Sequence, residues 1–213
     1  MAEMIDVFDG NHNPLGSLER VAVHKLGLWH QTFHCWIVGE RAGFRFVLLQ
    51  LRSKEKKNYP DFLDITAAGH LETGEAPLDG IRELQEELGV TINPVTLQFL
   101  GIKHDVADEP NGIHNREFAH VFLLRDDREM SGYHLQADEV SGLVEVEVTE
   151  GLRLFSGQVG SINCKATRIE NREVVSFARS IEASDLIPRV DNYYLKIFIM
   201  ARLMLEGAEY LSI

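Results

Sequence analysis

The sequence predicts an α/β/α sandwich built on a mixed sheet, and three stretches carry that prediction. Residues 31–51 alternate apolar and polar side chains on either side of a Gly39-Glu-Arg-Ala-Gly43 turn, the pattern of a strand hairpin with an apolar face. Leu84 and Leu88 stand at i and i+4, a stripe that can seat a helix on a core. Residues 192–205, NYYLKIFIMARLML, are apolar almost all round and unbroken by Gly or Pro, as a buried helix is. One helix on each side of the sheet gives the sandwich.

Taken in order, residues 3–8 read as a first strand that runs into an Asp-Gly-Asn-His-Asn-Pro turn. Residues 18–24 continue toward Lys25-Leu26-Gly27. In the next strand Phe33, Cys35 and Ile37 alternate with His34, Trp36 and Val38, and residues 44–51 return beside it. Residues 52–60, RSKEKKNYP, are the most basic window of the chain, and residues 62–66 are a short strand. A helix is predicted over 77–88, with Pro77 suited to its first turn. A strand over 94–103, a polar loop over 105–115 and a strand over 117–125 follow; the dense apolar run of the last marks it as buried. Residues 139–148 alternate as a strand and lead into a helical piece at 148–155. The segment 156–186 reads as an irregular hairpin, with a helix over 172–183 as the alternative. Arg189, Asn192 and Tyr193 form a polar entry to the last helix and read as its cap. No repeat, low-complexity tract or linker divides the chain. Residues 1–213 are therefore expected to be a single domain, with 156–213 as a C-terminal extension of hairpin plus buried helix.

With 45% hydrophobic and 25% charged residues, the 213-residue chain has the composition of an ordinary globular protein. Its formal charge of −12 argues against a nonspecific partner among nucleic acid polymers and against an anionic membrane surface. No apolar run reaches membrane-spanning length. The N-terminus, MAEMIDVFDG, lacks the basic-then-apolar layout of a secretion signal. Cys35 and Cys164 have no metal-binding spacing and read as reduced thiols, so a cytoplasmic location is the expectation. The apolar N-terminal strands and C-terminal helix leave a homodimer open.

The chemistry concentrates in Arg82-Glu-Leu-Gln-Glu-Glu-Leu-Gly-Val90. Glu83, Glu86 and Glu87 stand at i, i+3 and i+4 and share one helix face. Clustered like charges cost stability unless something positive sits among them. Hard oxygen ligands suit Mg²⁺ or Mn²⁺, and Arg82 can hold one carboxylate with a two-pronged guanidinium contact. The plainer alternative for such a face is a solvated acidic surface.

The wider spacing decides between them. Gly69, five residues, Glu75, and then Arg-Glu-Leu-x-Glu-Glu-x-Gly-Val resembles the signature of the Nudix family, G-x5-E-x7-R-E-U-x-E-E-x-G-U with U aliphatic. One departure stands out: six residues, Ala76 to Ile81, separate Glu75 from Arg82, where the family has seven. The shortening falls at the entry to the helix, where length varies most easily, and leaves the place of Glu75 open. The resemblance implies the sandwich fold and Mg²⁺- or Mn²⁺-dependent hydrolysis of a diphosphate linkage. Its small-molecule substrate would be a nucleoside diphosphate linked to another moiety, or a similar organic diphosphate. The resemblance further implies Glu83 and Glu87 as main metal ligands, Glu86 as a further ligand or bridge, the backbone carbonyl of Ala68 as another, and Arg82 as the residue that orients Glu83. Relatives add a carboxylate from a neighbouring strand as ligand or base; Glu117 is the first candidate for it and Glu139 the second. Arg52 and Lys56, at the end of a strand facing the box, are candidates for binding the outer phosphate, whereas Lys54 and Lys57 read as solvated.

A second resemblance lies outside the box. Val23-His24, Leu28-Trp29-His30, Gly69-His70 and Asn111-Gly-Ile-His-Asn-Arg-Glu117 look like isopentenyl-diphosphate isomerase, a Nudix-fold enzyme. In the isomerases, histidines like His24, His30 and His70 and a glutamate like Glu117 form a metal site, which brings His30 and His70 toward the active cleft. Read without that resemblance, His30 and His34 stand about 13 Å apart along one strand face and do not make a zinc site by themselves. The chain departs from the isomerases at two places: Ala68 stands where they carry the catalytic cysteine, and Asn115 where they carry a second carboxylate. It also keeps all three box glutamates. A hydrolase is therefore the leading expectation. An isomerase and a nucleotide-binding regulatory module without catalysis are the alternatives.

Overall fold

The structure is a computed structural model, and it describes residues 2–109, 112–170 and 173–213. Strands β1 (Met4–Phe8) and β2 (Pro14–Glu19) form a hairpin, fastened where the Asp9 carboxylate accepts hydrogen bonds from the Asn11 and Asn13 backbone N–H groups. Helix α1 (Arg20–Leu26) follows and stops at Gly27, which is left-handed at φ 64°. This helix was not foreseen: at seven residues it is too short for a helical period to register. Strands β3 (Trp29–Arg41) and β4 (Phe44–Arg52) make the expected hairpin.

The strand expected over 62–66 is shorter than that, and the next one begins at Ala67. Strand β5 (Leu63–Asp64) pairs with β4, and β6 (Ala67–His70) pairs with β3. Thr66 sits at the fork, where its hydroxyl accepts from the Ile37 N–H at 2.9 Å and donates to the Leu48 carbonyl. The predicted helix over 77–88 begins as a 3-10 turn, Pro77–Ile81, and continues as α2 (Arg82–Leu88). Strands β7 (Leu97–Asp108) and β8 (His114–Arg125) are longer than predicted and take up both ends of the loop expected at 105–115, of which residues 110 and 111 lie outside the described residues. Polar side chains hid these strand ends because one face there lines a polar site rather than a core. Strand β9 (Val140–Glu147) and helix α3 (Val148–Phe155) lie where the alternation put them. Strands β10 (Ser161–Glu170) and β11 (Glu173–Glu182) pair along their whole length, which overturns the helical alternative over 172–183; Arg172 itself lies outside the described residues. Helix α4 (Tyr193–Leu205) ends the fold.

Among the described residues the eleven strands join in one mixed sheet, whose main path runs β11-β10-β9-β4-β3-β1-β2. Strand β3 is its axis. Along one edge it runs parallel to β8 from His30 to Val38; along the other it takes β1, β6 and β4 in turn. Because side chains alternate, Phe33, Cys35 and Ile37 face one side and bury Leu84 and Leu88 of α2. Trp36 and Val38 face the other side and meet Ile197, Phe198 and Ala201 of α4. This is the sandwich the sequence predicts. The apolar side of α4 faces the chain's own core. Among the described residues no helix is long and apolar enough to cross a membrane.

Candidate active site

On the α4 side of the sheet, polar residues replace the core near the β6 end. Pairing of β6 with β3 sets His70 opposite Thr32 and Ala68 opposite His34, so all four side chains share one face. Parallel pairing sets Glu117 of β8 beside His30. Helix α1 brings His24 over them.

The ligand atoms of His24, His30, His70 and Glu117 all lie within 4.8 Å of one another. Their hydrogen bonds aim them. His24 Nδ1 faces the Arg20 carbonyl at 2.8 Å and His30 Nδ1 faces the Leu28 carbonyl at 2.9 Å. A carbonyl only accepts, so both Nδ1 atoms carry the proton, and both Nε2 lone pairs turn inward. His30 Nε2 is buried without a partner and stands 4.0 Å from Glu117 Oε1. His70 Nε2 lies 3.1 Å from His24 Nε2. Burial holds the imidazoles neutral: it pushes His30 down to about 4, and His70 and His24 also fall below the ordinary range, chiefly for the same reason. Neutral imidazole is the form that ligates metal. Glu117 is pushed up to about 7 by burial first and by the charge of Asp105 second.

The box lies at the other side of β6. Gly69 is needed there, since a Cβ at this position would stand 2.0 Å from Glu83 Oε1. Arg82 holds the group together. Its Nε donates to Glu75 Oε1 at 2.9 Å, its two terminal nitrogens reach Glu83 and the His70 carbonyl, and Glu86 lies 3.4 Å away. Glu75 thus stays within bidentate reach despite the shorter spacing. Glu87 is buried and accepts from the Ala68 N–H at 3.3 Å; burial, then the charge of Glu83, pushes its carboxyl up to about 8. Burial also raises Glu83, whereas Glu86 is more than half exposed. These acids and the Ala68 strand edge fit a hard divalent cation, because buried Glu87, part-buried Glu83, Glu86 and Glu75 outnumber the one arginine that ties them and leave negative charge to be met.

Lys56 is paired with Glu139, and the charges of Glu87 and Glu83 act on it. Arg52 is turned to its own loop: it donates to the carbonyls of Tyr59 and Asn58 and to Asp64. The cap reading at the C-terminal helix is corrected, because Asn192 makes no side-chain cap. Arg189 is instead held between Asp64 and Asp105, and the Tyr193 hydroxyl meets His34 and Trp36. Asp64, Lys103, Asp105 and Arg189 line this floor and carried no sequence motif. Thr32 and His34 were legible in principle, as they repeat at i+2 and i+4 from His30 on one strand face. Asn111, first residue of the isomerase-like stretch, lies outside the described residues.

Comparison with known proteins bears on the family and the fold. The pattern of the NUDIX domain matches residues 28–158. An uncharacterized Nudix hydrolase of Clostridium acetobutylicum is 35% identical over 201 residues, covering 93% of this chain and 96% of its own length. An isopentenyl-diphosphate Delta-isomerase of Paenarthrobacter aurescens is 33% identical over 58% of this chain and 66% of its own. A crystal structure from Deinococcus radiodurans superposes with a TM-score of 0.57 at 20% identity, over 73% of this chain and 90% of that one, which is a likeness of fold.

Proposed function

We propose, from the premise that this chain belongs to the NUDIX domain family and is a Nudix-type hydrolase, that its substrate is a nucleoside diphosphate linked to another moiety or a similar organic diphosphate, cleaved with Mg²⁺ or Mn²⁺. The observation that carries the reading is the pair of box carboxylates, the part-buried Glu83 and the buried Glu87, set against the Ala68–Gly69 strand edge with Arg82 paired to Glu83. Glu83, Glu86, Glu87 and the Ala68 carbonyl would hold the cation, which supplies charge neutralisation for the phosphoryl oxygens. Arg82 orients Glu83 and ties it to Glu75. Lys56, on which the charges of Glu87 and Glu83 act, brings positive charge to the outer phosphate. Glu117, its carboxyl near 7, is suited to accept a proton from the attacking water. The nested His24, His30 and His70 favour a borderline cation such as Zn²⁺ or Mn²⁺ in a second position with Glu117.

That histidine cluster is also what supports the isomerase reading, but Ala68 has no ionisable group with which to transfer a proton to or from carbon. The test is product release from a panel of nucleotide and isoprenoid diphosphates with Mg²⁺ or Mn²⁺, comparing the native chain with Glu87→Gln. Hydrolysis lost in the variant is the expected result. Isomerisation of isopentenyl diphosphate without hydrolysis would overturn the reading.

A further inference from the structure

A second set of ligand-type atoms shares Glu117: His34, Asp105 and Glu117, all buried, also lie within 4.8 Å of one another. It has the outline of another cation site, but its surroundings contradict that use. Both Asp105 oxygens are already taken, one by Lys103 at 2.9 Å and one by Arg189. The remaining question is which His34 nitrogen carries the proton.

Two fixed ends answer it. Trp36 Nε1–H can only donate, and it donates to the Tyr193 hydroxyl at 2.9 Å. At the other end, the Thr32 hydroxyl donates to Glu117 Oε2 at 3.4 Å. Between them, His34 Nδ1 meets the Tyr193 hydroxyl at 3.0 Å and His34 Nε2 meets Thr32 Oγ1 at 3.5 Å. With the Thr32 proton directed to Glu117, its oxygen must accept from His34 Nε2–H. His34 Nδ1 is then the acceptor of the Tyr193 O–H, whose oxygen accepts from Trp36. The reverse order would leave the Tyr193 proton buried with no acceptor. Tyr193 and Trp36 are fully buried, and His34 and Thr32 are 3% exposed, so water does not compete.

We infer that Tyr193 is a positioning residue for Glu117: a one-way hydrogen-bond chain, Trp36 to Tyr193 to His34 to Thr32 to Glu117, sets His34 as the Nε2–H tautomer, keeps it off any cation, and leaves Glu117 Oε1 facing His30. The C-terminal extension thereby reaches the site through its first helical turn. The inference rests on the proposed role of Glu117, but its first two tests do not need turnover.

Long-range ¹H–¹⁵N spectra of the full chain, chelator-treated and then with Zn²⁺, read the tautomer directly. The expected signature is His34 protonated at Nε2, and protonation at Nδ1 would overturn the chain. Zn²⁺ titration comes second: His34→Gln keeps an N–H donor and should bind as many equivalents as the native chain, whereas His30→Ala binds fewer. Loss of an equivalent in His34→Gln would make His34 a ligand and end the proposal. Third, Tyr193→Phe and Thr32→Val should lower kcat about 10–100-fold, the usual cost of losing an outer partner of a metal-site residue, with KM little changed. Thr32→Ser should restore it. Unchanged kcat in both variants would also overturn the role. If no diphosphate in the panel turns over, the hydrolase reading fails while the tautomer and the Zn²⁺ count still decide this one.

Discussion

Glu87 shows how one side chain links chemistry to stability. Without metal its carboxyl is raised to about 8, by burial first and Glu83 second. A raised native pKa means the folded protein holds a proton that the unfolded chain has released above the ordinary carboxylate range. Stability from this group is complete at low pH and is lost as pH rises through about 8. Melting of the chelated protein should therefore fall between about pH 5 and pH 9, and Glu87→Gln should flatten that fall while abolishing hydrolysis. A slope equal in both proteins would assign the titration elsewhere. Gly69→Ala tests the box from the other side: its Cβ would meet Glu83 Oε1 at 2.0 Å, so the carboxylate must move. The Mg²⁺ concentration for half-maximal activity should rise about 10–100-fold, read from activity against added metal. The box residues were legible because a helix face fixes their spacing within one short stretch. Arg189 and Tyr193 were not, since nothing near them in the chain foretells Asp64, Asp105 or His34.

At the scale of elements, long segments with strong alternation were readable and short or polar ones were not. The 31–51 hairpin and the last helix each bury an apolar face, and period alone reveals them. Helix α1 offers seven residues with only Val23 buried, and β7 and β8 turn Lys103, Asp105 and Glu117 to the site. The helices α3 and α4 approach so closely that a Cβ on Gly151 would stand 2.1 Å from Phe198. Gly151→Ala should cost about 1–3 kcal/mol by overpacking, seen as a melting temperature lower by roughly 2–12 °C. If the melt is unchanged, the two helices are free to separate.

For the molecule as a whole, the proposed cation sites would tie stability to metal. Ligands that bind only the folded chain stabilise it by about 2.7 kcal/mol at one hundred times their dissociation constant. Chelation should lower the melting temperature by roughly 5–11 °C, and Mg²⁺ or Mn²⁺ should restore it. The sandwich could be read from the sequence because each layer has its own apolar pattern. The gathering of His24, His30, His70 and Glu117 could not be read from spacing, since four separate segments supply it.

The parallel pairing of β3 with β8 also has a kinetic side. His30 finds Glu117 only when a loop containing the whole glutamate box has closed, and distant contacts of this kind repay their entropy late. During synthesis the hairpin of β3 and β4 and the box helix leave the ribosome well before β8 does. A chain at that point carries every residue of the signature and still lacks the carboxylate that three histidines await. Refolding followed by two probes should therefore separate them, with secondary structure returning first and Zn²⁺ uptake trailing behind.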